Sequence, residues 1–463
     1  MAPEARPDGE VRAPELAQGL APTALDFSDI PASADGDAGA TGGERSYGSG
    51  ARILSIGIAA TGLFTFAYFG VAGHVLDGGD YGRVSLLWSL LFVIMSVIYR
   101  PVEQLLSRTI ADRRARGITA GHPLRVPATI QASFALGFLV VALALRGPIE
   151  DGLFDGHSSL YWILIGAAMA YAASYFARGY FAGHQWFGLY GGLVLFESLS
   201  RFCFPVAVAV GIASGETAVA LGIVAAPLAS LLVIPWALGR HEAASAAAAG
   251  VDRDRGEMRE SAGFAGSVAL IQLAEQTLLN AAVLLVADST TAGIVFSALM
   301  VARAPLQLFQ AVQTSLLPHL AGLEATEGRA AFARAIRQTI LAIAGFAGLC
   351  AIGLLAIGPW AMHIAFDKEG YTHVGLAVIA VGMGLHLTAG TLNQAALARG
   401  RAHLAAAAWL VAAGLFVVWM LVPVVEDELV RAEVGYAGAA AVLCGLLYGL
   451  YRGGSRGVER GVR

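Results

Sequence analysis

Apolar runs of about twenty residues recur along almost the whole chain, and a bundle of membrane helices is the fold that accommodates them. A helix rising about 1.5 Å per residue needs about 20 mostly apolar residues to cross the hydrocarbon core. Twelve such runs are predicted, at 53–76, 84–107, 126–146, 160–182, 188–212, 217–239, 263–287, 292–318, 335–358, 373–398, 402–424 and 433–452. Composition agrees with this reading. Of 463 residues, 57% are hydrophobic and 14% charged, against about a quarter charged in a soluble domain.

Arginine placement predicts the orientation. Of 30 basic residues, only Lys368 is a lysine. With the N-terminus in the cytoplasm, 23 fall in cytoplasmic segments, Arg178 among them, and Arg83, Arg146, Lys368 and Arg431 fall outside. That bias predicts an N-in, C-in multi-pass protein, with the plasma membrane as its place. The three remaining, Arg100, Arg201 and Arg303, lie within spans. The acidic outer turns, "DGGD" and "PIEDGLFDG", read as solvated faces rather than metal sites.

Five regions are predicted. Residues 1–51, rich in Ala, Pro, Gly and Asp, read as a disordered acidic tail without signal-peptide pattern. Residues 52–240 and 263–452 read as two six-helix lobes, 241–262 as the cytoplasmic linker between them, and 453–463 as a basic tail. Cys203, Cys350 and Cys444 are far apart in apolar runs, which predicts buried small hydrophobes rather than a disulfide or zinc site. No metal, cofactor or nucleic-acid partner is predicted.

The two halves look related. Asp77 and Asp288 each precede, by five residues, a glycine (Gly82, Gly293) opening the next span. That span then carries an arginine near a proline: Arg100-Pro101 and Arg303-Ala304-Pro305. Two halves that start in the same orientation are parallel repeats, and transporters commonly hold substrate between such halves.

Charged groups in mid-membrane cost roughly 2.5–3.5 kcal/mol on insertion scales, so they should face a cavity or a partner. Arg100, Glu103, Gln104 and Ser107 share one helical face, as do Arg303, Gln307, Gln310 and Thr314. Gln272, Glu275, Gln276 and Asn280 form a third polar face, and Glu197 precedes Arg201 by one turn. Helical spacing allows Arg100–Glu103 and Arg201–Glu197 ion pairs, and Glu275 is the candidate partner for Arg303. Together these faces predict a partly cationic central cavity. The arginines are candidates for binding an anionic group, and Gln307, Gln310, Gln272, Gln276, Asn280 and Gln104 for its polar lining. Glu275, Glu103 and Glu197 are candidates for charge balance or coupling. Pro101 and Pro305 are candidate hinges. The scattered histidines read as structural.

The stretch "DGGDYGRVSLLWSLLFVIMSVIYRPVEQLLSRTIADRRARG" resembles the first repeat of polysaccharide-biosynthesis flippases. These belong to the multidrug/oligosaccharidyl-lipid/polysaccharide exporter superfamily. The resembling features are Tyr81-Gly82 closing the outer turn, the long second span, and its exit through Pro101, Gln104, Ser107 and Arg108, with "SLLPHLAGLEATEG" as the later counterpart. The resemblance implies an all-α, MATE-like membrane protein of about twelve helices in two lobes. It would move lipid-linked glycans outward by alternating access, alongside glycosyltransferases or a polymerase of the same pathway. Arginine forks suit a pyrophosphate, and amides suit sugars. The first span lacks the carboxylate that drug/cation antiporters tend to carry there, and the arginine that peptidoglycan-precursor flippases tend to carry. A cation-coupled small-molecule antiporter, using Glu103 or Glu275, is the alternative. A membrane-bound glycan-synthesis enzyme is a further one, although the short loops hold no DxD or phosphate-cradling motif.

Overall fold

The computed structural model describes residues 42–115, 124–238, 255–301, 303, 306 and 329–459. In chain order the helices are α1 (Gly42–Val75), α2 (Gly78–Ile94), a π-helical turn (Met95–Tyr99), α3 (Arg100–Ala115), α4 (Arg125–Ala144), α5 (Arg146–Leu153) and α6 (Ser158–Gly183). There follow α7 (Phe187–Ala209), α8 (Gly215–Leu238), α9 (Arg255–Leu285), α10 (Ser289–Val301), α11 (Arg329–Phe366), α12 (His373–Ala398), α13 (Ala402–Leu421) and α14 (Glu428–Glu459). No strand occurs among the described residues.

The chain is an all-helical membrane protein. Ten stretches among the described residues are long and apolar enough to cross a bilayer, against the twelve predicted. The first predicted run, but for its last residue, lies within α1, and the eighth starts as α10 and continues outside the described residues. Residues 1–41 of the predicted tail and 239–254 around the linker also lie outside them. α1 begins at Gly42 and α9 at Arg255, and α14 runs on to Glu459.

Within the first half, α1 packs on α7, α7 on α8, and α6 on α3 and α8. Within the second, α12 packs on α11 and α14, and α13 on α9 and α14. The halves meet through α9 against α2 and the π turn, and through α11 against α1. Burial sorts centre from periphery. In their apolar windows, 67% of residues are buried in α2–α3 and α6 and 72% in α12, but 17% in α4 and α11. The last two therefore present leucines, valines and Trp360 outward, where only lipid makes such exposure favourable.

The repeated aspartates are helix caps. Asp77 accepts from the Asp80 N–H at 2.8 Å, and Asp288 accepts from the Thr291 N–H at 2.9 Å and its hydroxyl at 2.6 Å. Each thereby satisfies an orphan donor at a helix start. Burial raises the Asp288 pKa, but the bonds from Thr291 and Thr290 outweigh it and lower the carboxyl below its ordinary value. Other acids predicted to be merely solvated are paired. Arg83 binds Asp80, Asp155 (3.2 Å) and Glu216 (2.8 Å), and Arg146 binds Glu150 (2.8 Å). The cysteines correct another expectation. All three are free, but Cys203 is exposed and the others are half-buried, on apolar helices where lipid contact replaces the core.

Candidate functional site

Five helices of the first half and two of the second converge on a cavity of about 130 Å³. Drug-sized ligand sites span roughly 300–1,000 Å³, so in this conformation the space takes a headgroup rather than a whole oligosaccharide. Its wall includes Arg100, Arg178, Glu197, Arg201 and Arg303, with Gln276 and Asn280 from α9. Thr61 and Thr65 of α1, Trp88 and Phe92 of α2, and Tyr171 and Tyr175 of α6 complete much of it. Four guanidiniums thus face one carboxylate.

The local sequence explains how Arg100 arrives there. Pro101 carries no N–H, and the preceding turn widens, so that the Arg100 N–H bonds back to the Met95 carbonyl, five residues earlier. Such a π turn inserts a residue into a helix and re-aims the side chains of the next turn. Arg100 then reaches across to α9, its Nη1 lying 3.4 Å from Gln272 Oε1.

The ion pairs differ from those that spacing suggested. Glu197 does not pair with Arg201. Its carboxylate accepts from Arg178 Nη2 at 2.8 and 2.9 Å and from the Ser174 hydroxyl at 3.0 Å. Glu103 does not pair with Arg100 either, but accepts from the Tyr190 hydroxyl at 2.7 Å. In both cases a side chain on a neighbouring helix reaches the carboxylate better than one a turn along the same helix. Nor does Glu275 neutralise Arg303. It accepts from Gln272 at 3.3 Å and lies 3.8 Å from His386 Nε2. Arg303 donates to the Leu279 carbonyl and to Asn280 Oδ1 (2.7 Å).

Arg201 and Arg303 are therefore buried cations held by neutral groups. Arg201 donates to Thr65 Oγ1 at 3.0 Å and Tyr171 Oη at 3.2 Å. Aromatic faces supply the rest. The guanidinium carbons of Arg201, Arg178 and Arg303 lie 4.4 Å, 4.6 Å and 5.1 Å from the ring centres of Trp88, Tyr175 and Phe296. A ring quadrupole attracts a cation without cancelling its charge. Each of these three arginines also keeps a buried Nε–H without a hydrogen-bond partner, and an unmade bond of this kind costs about 1–3 kcal/mol. An oxyanion in the cavity would meet two guanidiniums, those of Arg201 and Arg303, whose charge no carboxylate cancels.

The predicted site residues divide accordingly. Arg100, Arg201, Arg303, Glu197, Gln276 and Asn280 come together on the wall. Gln272, Glu275, Glu103 and Gln104 stand outside it. Gln307, Gln310 and Pro305 lie outside the described residues. Arg178 was missed. Its place in the cytoplasmic count is corrected by its burial within α6. The span predicted to 182 already contained it. The aromatic wall was missed as well, because Trp, Tyr and Phe in an apolar run look the same whether they face core, lipid or cavity.

No family model matches the chain. It is 28% identical over 392 residues to Uncharacterized protein Rv3630 of Mycobacterium tuberculosis (strain ATCC 25618 / H37Rv), a match covering 80% of this chain and 85% of that protein. Uncharacterized protein Mb3654 of Mycobacterium bovis matches to the same extent. Among solved structures, an inward-facing multidrug resistance MATE family transporter of the MOP superfamily superposes with a TM-score of 0.62 at 12% identity, covering 86% of this chain and 97% of that one. The eukaryotic MATE transporter AtDTX14 gives 0.56 at 13%, covering 88% and 96%. An outward-facing MATE structure gives 0.56 at 14%, covering 86% and 93%. At these identities the likeness establishes the fold, and the chain has the two-lobed MATE architecture.

Proposed function

We propose that this protein is a membrane exporter that moves a polyprenyl-linked glycan, held by its pyrophosphate, to the outer face by alternating access. The observation that carries the reading is the inter-lobe cavity, with four guanidiniums against one carboxylate, two of them (Arg201 and Arg303) held only by neutral groups. A bidentate guanidinium fork matches phosphate oxygens, whereas a cationic drug would be repelled. The polyprenyl tail can stay in lipid at the gap between lobes, so a cavity of headgroup size suffices. The MATE fold and the greater likeness to an inward-facing relative support a state that loads from the cytoplasm.

The test is binding and flipping in proteoliposomes, with a fluorescent polyprenyl-pyrophosphate disaccharide as probe and dithionite quenching as readout. Arg303→Ala should weaken binding about ten- to a hundredfold, the worth of one charge-assisted bond, and slow flipping to the protein-free rate. Unchanged flipping with Arg303→Ala removes the role given to that residue.

One observation favours a second reading, cation-coupled small-molecule antiport. Glu275 and His386 face each other at 3.8 Å, and the imidazole is buried within the second lobe. In that case an imposed proton gradient should drive a cationic dye across the same vesicles, and Glu275→Gln should abolish the drive. Dye flux indifferent to both gradient and substitution counts against antiport.

A further inference from the structure

The chain's single lysine sits where the two lobes touch. Lys368 lies in the turn between α11 and α12, in the second lobe. Its Nζ donates to the carbonyls of Gly73 (2.9 Å) and Leu76 (3.0 Å), at the C-terminal end of α1 in the first lobe. The last carbonyls of a helix have no partner within it, and they carry the negative end of its dipole. The ammonium answers both features at once. It also lies 5.1 Å from the ring centre of Tyr81, on α2.

Everything around it belongs to the same crossing. The Tyr81 hydroxyl is 2.7 Å from Ser297 Oγ on α10, and Phe69 and Phe296 meet at 4.4 Å between ring centres. Backbones approach so closely that a Cβ on Gly82 would fall on the Ser289 carbonyl, and one on Gly73 on the Phe366 carbonyl. Among the described residues, three hydrogen bonds join the lobes at this end, and Arg100–Gln272 joins them at the cavity.

We infer that Lys368 is the latch of the outer gate: its ammonium, docked on the α1 terminus, holds the lobes closed on the outer side and must undock for the cavity to open there. The packing of glycine backbone and aromatic rings gives the closed gate its shape, but apolar contact is non-directional. Lys368 adds two directed bonds, and opening breaks both together. Burial works against the charge, lowering the amine's pKa from its ordinary value, while Asp367 and Asp77 pull it back up. Water gained on undocking therefore repays part of the broken bonds, which makes the latch reversible. The purpose of the latch rests on the alternating-access reading, but its existence is read from distance and accessibility, without transport.

The test uses the full-length chain with Cys203, Cys350 and Cys444 replaced by serine. Spin labels go on Asp151→Cys and Glu426→Cys, exposed positions at the outer end of the two lobes, and double electron–electron resonance reads their separation. Lys368→Ala should raise the ratio of long to short distances about tenfold or more, and Lys368→Arg should restore the short one. A second arm needs no lysine variant. Because Lys368 is the sole lysine, an amine-reactive ester read by peptide mass mapping reports the latch directly. Its labelling should be slow in the parent protein and about tenfold faster in Gly82→Ala, which wedges the crossing apart. An unchanged distance distribution in Lys368→Ala overturns the inference. So does labelling of the parent lysine at the rate of a free amine. Failure of glycan flipping with the distance shift intact would instead fall on the proposed substrate.

Discussion

Arg178 and Glu197 meet at 2.8 Å inside the helix bundle, and the pair sets the charge of the cavity wall. Desolvating two ions is costly, and their attraction offsets this only while both are present. Glu197→Gln should therefore destabilise the protein by about 3–5 kcal/mol, since Arg178 is left buried without its counter-charge. The double variant Arg178→Met with Glu197→Leu should lose much less. Thermal unfolding in detergent, followed by tryptophan fluorescence, checks this. A double variant no better than the single one would show that the two charges are not coupled. The same residues mark how far the site was legible. Arg201 and Arg303 were visible because an isolated guanidinium in an apolar run must face something polar. Their partners were not. Spacing along one helix shows which side chains share a face, but Glu197 chose an arginine from the next helix, and no sequence pattern records that choice.

At the scale of elements the apolar runs were the strongest signal, and each predicted run begins in or lies within a helix. Hydropathy succeeds here because lipid leaves the backbone no other way to satisfy itself within a span. The paired Asp77–Gly82 and Asp288–Gly293 motifs were legible as a repeat, and the structure supplies their physics. Each aspartate starts a helix, and each glycine lets that helix approach the opposite lobe. Pro101 was legible as an interruption, but the π turn was not. The proline shows that one donor is missing, whereas the shift of the Arg100 N–H to the Met95 carbonyl depends on how the next turns pack. Two arginines reach the cavity by different devices. Arg100 stands on a re-aimed helix, and Arg303 is braced from α9 by Asn280 and the Leu279 carbonyl.

For the whole molecule, the sealed end and the arginine-rich end must lie on opposite sides of the membrane. Arg108 and Arg113 come after the span that begins at the Asp77 turn, so the crossing of Tyr81, Ser297 and Lys368 lies at the far end from them. If the arginine bias sets orientation, this crossing closes the outer side, and the cytoplasm-loading state proposed above predicts that the cavity is reached from the cytoplasm. Thr61 is a suitable reporter. It lines the cavity, is partly exposed, and belongs to none of the ion pairs. In a background lacking the native cysteines, Thr61→Cys should react with a charged, membrane-impermeant maleimide in inverted vesicles. In right-side-out vesicles it should be protected at least about tenfold, since the closed state must dominate for only a minor population to react. Adding Lys368→Ala should raise labelling from the outer side and leave labelling from the cytoplasmic side unchanged or slower, because opening one gate draws molecules from the state in which the other is open. Faster labelling from the outside in the parent protein would reverse either the orientation or the gate. An impermeant label on Arg452→Cys, exposed near the end of α14, separates the two. If that position also labels from the outside, the orientation is inverted and the seal stands. If it labels from the cytoplasm while Thr61→Cys labels from the outside, the seal is the part that fails.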